Sequence, residues 1–87
     1  MITAAQMKAA RALLGIDQKE LARLSGVSLP TIQRMEASNG TVRAVVDSLE
    51  KVITALNGAG VELIGPGGRS EGAGRGVRLI DDRRASS

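Results

Sequence analysis

The residues best equipped for chemistry lie in one short run, Ser28-Leu29-Pro30-Thr31-Ile32-Gln33-Arg34. Gln33 and Arg34 each carry a planar hydrogen-bonding group. An arginine fork pairs best with the edge of guanine, and a glutamine amide with the edge of adenine. Leu29, Pro30 and the Thr31 methyl offer apolar contact of the kind a thymine methyl accepts. If Ile32 and Met35 face inward on a helix, Ser28, Leu29, Thr31, Gln33 and Arg34 face solvent, with Pro30 near the tip. This is recognition chemistry. Catalysis is a poor fit: the chain has no His, Cys, Tyr, Trp or Phe. The commonest general base is therefore missing, and no activated nucleophile with a positioned base is visible. A metal site would have to be all-oxygen, and no EF-hand-like loop is present. The reading is of a non-enzyme without metal or cofactor.

Two helices and a glycine turn must position these side chains. The stretch Gln18 to Glu36 reads as a helix over roughly Gln18–Leu24, a turn, and a second helix over roughly Leu29–Ala37. Leu21, Ala22 and Ser25 share one face of the first, and Ile32 and Met35 one face of the second. Ala22 is small where the helices cross. Gly26 stands where the turn needs a positive φ, and Val27 plugs the corner. Asp17 is a suitable N-cap, with Glu20 completing a capping-box-like pair. Ser28 is the N-cap of the second helix, and Pro30 is tolerated in its first turn, where no i−4 carbonyl awaits its missing N–H.

An earlier helix is expected to start at a capping box, Thr3 with Gln6. It would run through Met7, Ala10, Leu13 and Leu14 at helical spacing and end at Gly15. Ser38-Asn39-Gly40 is a turn cluster. Beyond it, Val42, Val45, Leu49, Val52, Ile53 and Leu56 form a stripe that predicts one helix, capped by Thr41 and ending at Asn57-Gly58; a break near Asp47-Ser48 would split it in two.

The run ARALLGIDQKELARLSGVSLPTIQRME, within a match from about Gln6 to Leu56, resembles the lambda-repressor/Cro-like helix-turn-helix family, also called the XRE family. The resemblance implies a mainly α domain of four or five helices that binds double-stranded DNA through its third helix. It implies that Gln18 touches phosphate and braces the third helix. Ser28 is a further phosphate candidate, beside its capping role. Asn39, Thr41 and Arg43 fall where related repressors meet the DNA backbone; Arg43 is the strongest of the three, since a cation in the first turn of a following helix gains nothing from the helix dipole. It also implies a structural ion pair between Arg11 and Glu36. Lys8, Lys19, Arg23 and Lys51 read as solvated faces.

Eighty-seven residues with a net charge of +3 suggest one small core. With no Cys there is no disulfide, and packing must come from Leu, Ile, Val, Met and Ala. No apolar run approaches the roughly 18 residues of a membrane span, and the N-terminal stretch is amphipathic rather than signal-like, so a cytoplasmic protein without membrane contact is expected. Residues 1–57 form the helical domain, and residues 58–87 a glycine-rich extension and candidate dimerisation element. Val61-Glu62-Leu63-Ile64 and Val77-Arg78-Leu79-Ile80 are strand-like runs that predict a short C-terminal β-hairpin, joined by the glycine-rich residues 65–76. No Walker-type Lys-Ser/Thr follows those glycines, so they are no phosphate loop. Residues 81–87 are polar and expected to fray.

Residues 1–57 hold seven Lys/Arg against five Asp/Glu. So weak a positive charge predicts feeble binding by a monomer, because phosphate neutralisation supplies most non-specific affinity. A homodimeric, sequence-specific transcriptional regulator is therefore expected, a repressor by occlusion or an activator by recruitment. The alternative is a protein-binding module of antitoxin or antiactivator type that holds a partner protein through residues 58–87.

Overall fold

The computed structural model describes residues 2–80; the expected frayed tail at residues 81–87 lies outside them. Four helices follow one another: α1 Ala4–Leu14, α2 Gln18–Ser25, α3 Leu29–Glu36 and α4 Val46–Gly58. Their ends are decided locally. The Thr3 hydroxyl accepts from the Gln6 N–H at 3.1 Å, and the Gln6 side-chain oxygen accepts from the Thr3 N–H at 2.9 Å, which is a complete capping box. Asp17 accepts from the Glu20 N–H at 2.8 Å. Glu20 does not return the bond. Its carboxylate takes Arg23 one turn on, where a charged donor is available. Gly15 and Gly26 end α1 and α2 at φ of 68° and 74°. A side chain there would be strained, although space is open around both.

Met7, Leu21, Ile32, Met35, Val52 and Leu56 form the fully buried centre, with Val42 beside them. α2 packs on both α3 and α4, and α1 on α3. Val27 is buried at the corner between α2 and α3, and Ala22 is packed against the core. Leu13 departs from expectation: it is 48% exposed.

The fourth helix corrects the sequence reading. It begins at Val46, is not split at Asp47-Ser48, and is not capped by Thr41. Thr41 instead forms an antiparallel bridge with Thr3. The Val42 N–H donates to the Ile2 carbonyl at 2.9 Å, and the Ala4 N–H to the Gly40 carbonyl at 2.9 Å. Residues 41–42 are thus held against the N-terminal segment, and Val42 is buried from there rather than from a helix. Val45, expected on the buried stripe, is 70% exposed. The helix also passes through Gly58; the turn falls at Gly60, with φ of 106°.

Past that turn the chain runs back along α1. Val61 is buried, Leu63 packs partly on the core, and the Gln6 amide donates to the Ile64 carbonyl at 3.0 Å. Among the described residues neither 61–64 nor 77–80 is a strand, and the expected hairpin is not formed. The linker explains it. Six of its twelve residues are glycine, so closing it costs much backbone entropy, and its tight turn at Gly65–Gly68 does not join the two runs in register. The Glu62 carboxylate gathers this loop instead, accepting from the N–H groups of Glu71 at 3.0 Å and Gly72 at 3.1 Å. Among the described residues no helix is long and apolar enough to cross a membrane.

Candidate nucleic-acid interface

α3 turns Ile32, Met35 and Glu36 inward, so its other faces are free. Pro30, Gln33 and Arg34 are exposed together with Ser28; Leu29 and Thr31 are half-buried. The Ser28 hydroxyl caps the helix by accepting from the Thr31 N–H at 3.3 Å, and donates to the Thr31 hydroxyl at 2.9 Å. Arg34 donates to that same hydroxyl at 3.3 Å. Ser28, Thr31 and Arg34 therefore line one ridge at successive helical turns, with Pro30 and Gln33 along the next. Arg34 makes no salt bridge among the described residues. Its guanidinium is held over the helix by a single neutral acceptor, an easily exchanged contact.

The inner side of α3 is fastened at its last turn. Glu36 is 3% exposed and carries a carboxylate. Arg11 of α1 grips it with two parallel bonds, both 2.7 Å. The Gln18 amide adds a third at 3.2 Å from the start of α2, and Arg11 also reaches the Ile16 carbonyl at 3.3 Å. The bond to Glu36 raises the Arg11 pKa further, so the guanidinium stays charged. Three helices are joined at one buried carboxylate, which fixes the angle at which α3 is presented.

The loop after α3 lies on the same chain path. Asn39, Thr41 and Arg43 are all exposed. The Arg43 N–H donates to the Ser38 hydroxyl at 3.3 Å, which pins the backbone that carries its guanidinium. Arg43 makes no salt bridge among the described residues.

A family model described as helix-turn-helix matches residues 7–61, more than half of the chain. The chain belongs to the lambda-repressor/Cro-like helix-turn-helix family. That family consists of DNA-binding regulators. Comparison with curated proteins and with solved structures finds no match.

In this helix-turn-helix protein the residues singled out by sequence fall into two groups, with Gln18 alone at the start of α2. Ser28, Leu29, Pro30, Thr31, Gln33 and Arg34 come together on α3 or its cap. Asn39, Thr41 and Arg43 stand apart on the connecting segment, and the helix-dipole argument for Arg43 falls, because that residue precedes α4 by three positions. Gln18 points its amide at Glu36, consistent with the bracing role, while its side-chain oxygen accepts no bond among the described residues. Two positioning residues were missed. Ser38 gave a faint signal as a hydroxyl in a turn cluster. Gln6 gave none for its second role, because the carbonyl it holds is 58 residues away.

Proposed function

We propose that this protein is a sequence-specific transcriptional regulator that binds as a small homodimer and lays α3 in the major groove. The observation that carries the reading is the placement of Gln33 and Arg34, exposed on a helix whose far side is locked to α1 and α2 through Glu36. A rigid helix with free polar tips is what base-edge reading requires. Leu29, Pro30 and Thr31 add apolar contact. Gln18, Ser28, Asn39, Thr41 and Arg43 form the phosphate-contacting rim, which positions the protein without reading sequence. The small positive charge of the helical part makes two half-sites necessary, spaced by about 34–36 Å, one turn of DNA.

The test is a footprint on DNA upstream of the protein's own gene, with affinity measured against salt. Two protected half-sites one helical turn apart are expected. Arg34→Ala and Gln33→Ala should each weaken specific binding by about 1–3 kcal/mol and relax one base position. Equal loss on specific and random DNA would remove them from base reading. Arg43→Ala should weaken binding to every sequence and lower the salt slope by about one. Stable capture of a neighbouring gene's product with no DNA protection would overturn the regulator reading.

A further inference from the structure

The two apolar runs of the C-terminal segment repeat one pattern with opposite charge: Val61-Glu62-Leu63-Ile64 and Val77-Arg78-Leu79-Ile80. Set antiparallel with Glu62 facing Arg78, they place Val61 opposite Leu79 and Leu63 opposite Val77. Three successive positions in that register are complementary, apolar to apolar and acid to base, while Ile64 and Ile80 fall opposite Gly76 and Gly60. Yet the two runs do not pair within the chain. A groove of about 1110 Å³ lies between them, lined by Leu13, Val61, Glu62, Ile64 and Val77 among others. Residues 61–64 form its inner wall, seated on α1 through Val61 and the Gln6–Ile64 bond. Among the described residues, the N–H groups of Glu62, Leu63 and Ile64 make no hydrogen bond, and nor do those of Val77 to Ile80. Val77, Leu79 and Ile80 are 75%, 61% and 101% exposed.

We infer that the Val77–Ile80 run of one chain pairs with the Val61–Ile64 run of a second copy, reciprocally, and that this exchange is the homodimer contact. The inference rests on the homodimer reading above. Unpaired backbone with apolar side chains is a template for another strand. A lone ribbon of two four-residue strands is marginal, but one backed by a helix is not, and here each ribbon would lie on α1. The exchange satisfies backbone groups on both runs and covers Val77 and Leu79, which share the face that carries Val61 and Leu63. The contacts given up are exposed ones: Glu62 with the Glu71 and Gly72 N–H groups, and Arg78 with the Gly68 carbonyl at 2.7 Å. The twelve-residue glycine-rich linker lets the second run reach a neighbouring molecule.

Charge exchange between two full-length variants tests this. Sedimentation should show a wild-type dimer. Glu62→Lys and Arg78→Glu should each weaken it about tenfold, because every dimer then contains two like-charged pairs. Mixing the two variants should restore association to the wild-type level. In the mixed dimer one ribbon carries both substitutions, an opposite-charge pair with its ends exchanged, and the other ribbon keeps the natural Glu62 and Arg78. Pairing within one chain, by contrast, leaves both variants frustrated whatever they are mixed with. Helical circular dichroism should stay unchanged throughout, both residues being exposed. Single variants as strongly dimeric as wild type, or a mixture that recovers nothing, would overturn the exchange while leaving the homodimer reading intact. A wild type that is monomeric both free and on operator DNA would overturn both.

Discussion

Residues 2–61 and residues 65–80 both carry apolar side chains at regular spacing, and only the first set buries them. Leu56 is fully buried and Leu79 is 61% exposed. The difference is not hydrophobicity. In the first region each apolar stripe meets another at a distance set by a short, capped connection, so ordering a residue is rewarded within a few positions. In the second, twelve linker residues separate the 77–80 run from residues 61–64, and no turn sets where the two meet in register. Patterning makes structure where a facing surface already exists.

The same substitution in each region sharpens the contrast most. Leu56→Ala should cost about 2–5 kcal/mol, from lost burial and the cavity it leaves. Leu79→Ala should change the stability of dilute chain by less than about 0.5 kcal/mol. Urea unfolding followed by circular dichroism measures both; similar values would erase the distinction.

Arg11→Ala probes how the helical region holds its one buried carboxylate. Removing the guanidinium leaves Glu36 with the Gln18 amide alone. The expected loss is about 3 kcal/mol, the low end for breaking a buried pair, since Arg11 keeps 20% exposure. DNA binding should fall only in step with folding. A variant with unchanged melting temperature and no DNA binding would show that Arg11 acts at the interface itself.

The smallest effect belongs to the loop gathered by Glu62. The Ser70 hydroxyl, then the N–H groups of Glu71 and Gly72, then the charge of Arg78 hold its carboxyl below the usual carboxylate range. A depressed folded-state value stabilises the closed loop above the ordinary glutamate pKa of about 4.3, and that contribution fades as pH falls through the lower folded value. In dilute, monomeric chain, amide exchange at Glu71 and Gly72 should therefore be retarded near neutrality and lose that protection in acid, while α1 to α4 keep theirs over the same range. Glu62→Gln should remove the acid transition. Protection unchanged by either acid or the substitution would sever Glu62 from the loop.

Much of the helical region was legible in the residues themselves. Thr3 with Gln6, Asp17, Ser28, Gly15 and Gly26 each satisfy or terminate a helix within three or four positions, and the structure uses all of them. The exposed face of α3 followed from Ile32 and Met35 being inward. The start of α4 was not legible, because Val42, Val45 and Leu49 imitate helical spacing.

Capping and turn chemistry, acting over a few residues, made α1, α2, α3 and the placement of Gln33 and Arg34 properties of the sequence alone. Tertiary structure decided the rest. It drew residues 41–42 into pairing with Ile2 and Thr3, delaying α4 to Val46. It closed Arg11 and Gln18 around Glu36, and it laid residues 61–64 along α1 through a bond spanning 58 positions. Those contacts join groups far apart in the chain, and their free energy depends on a surface that exists only once the helices have packed.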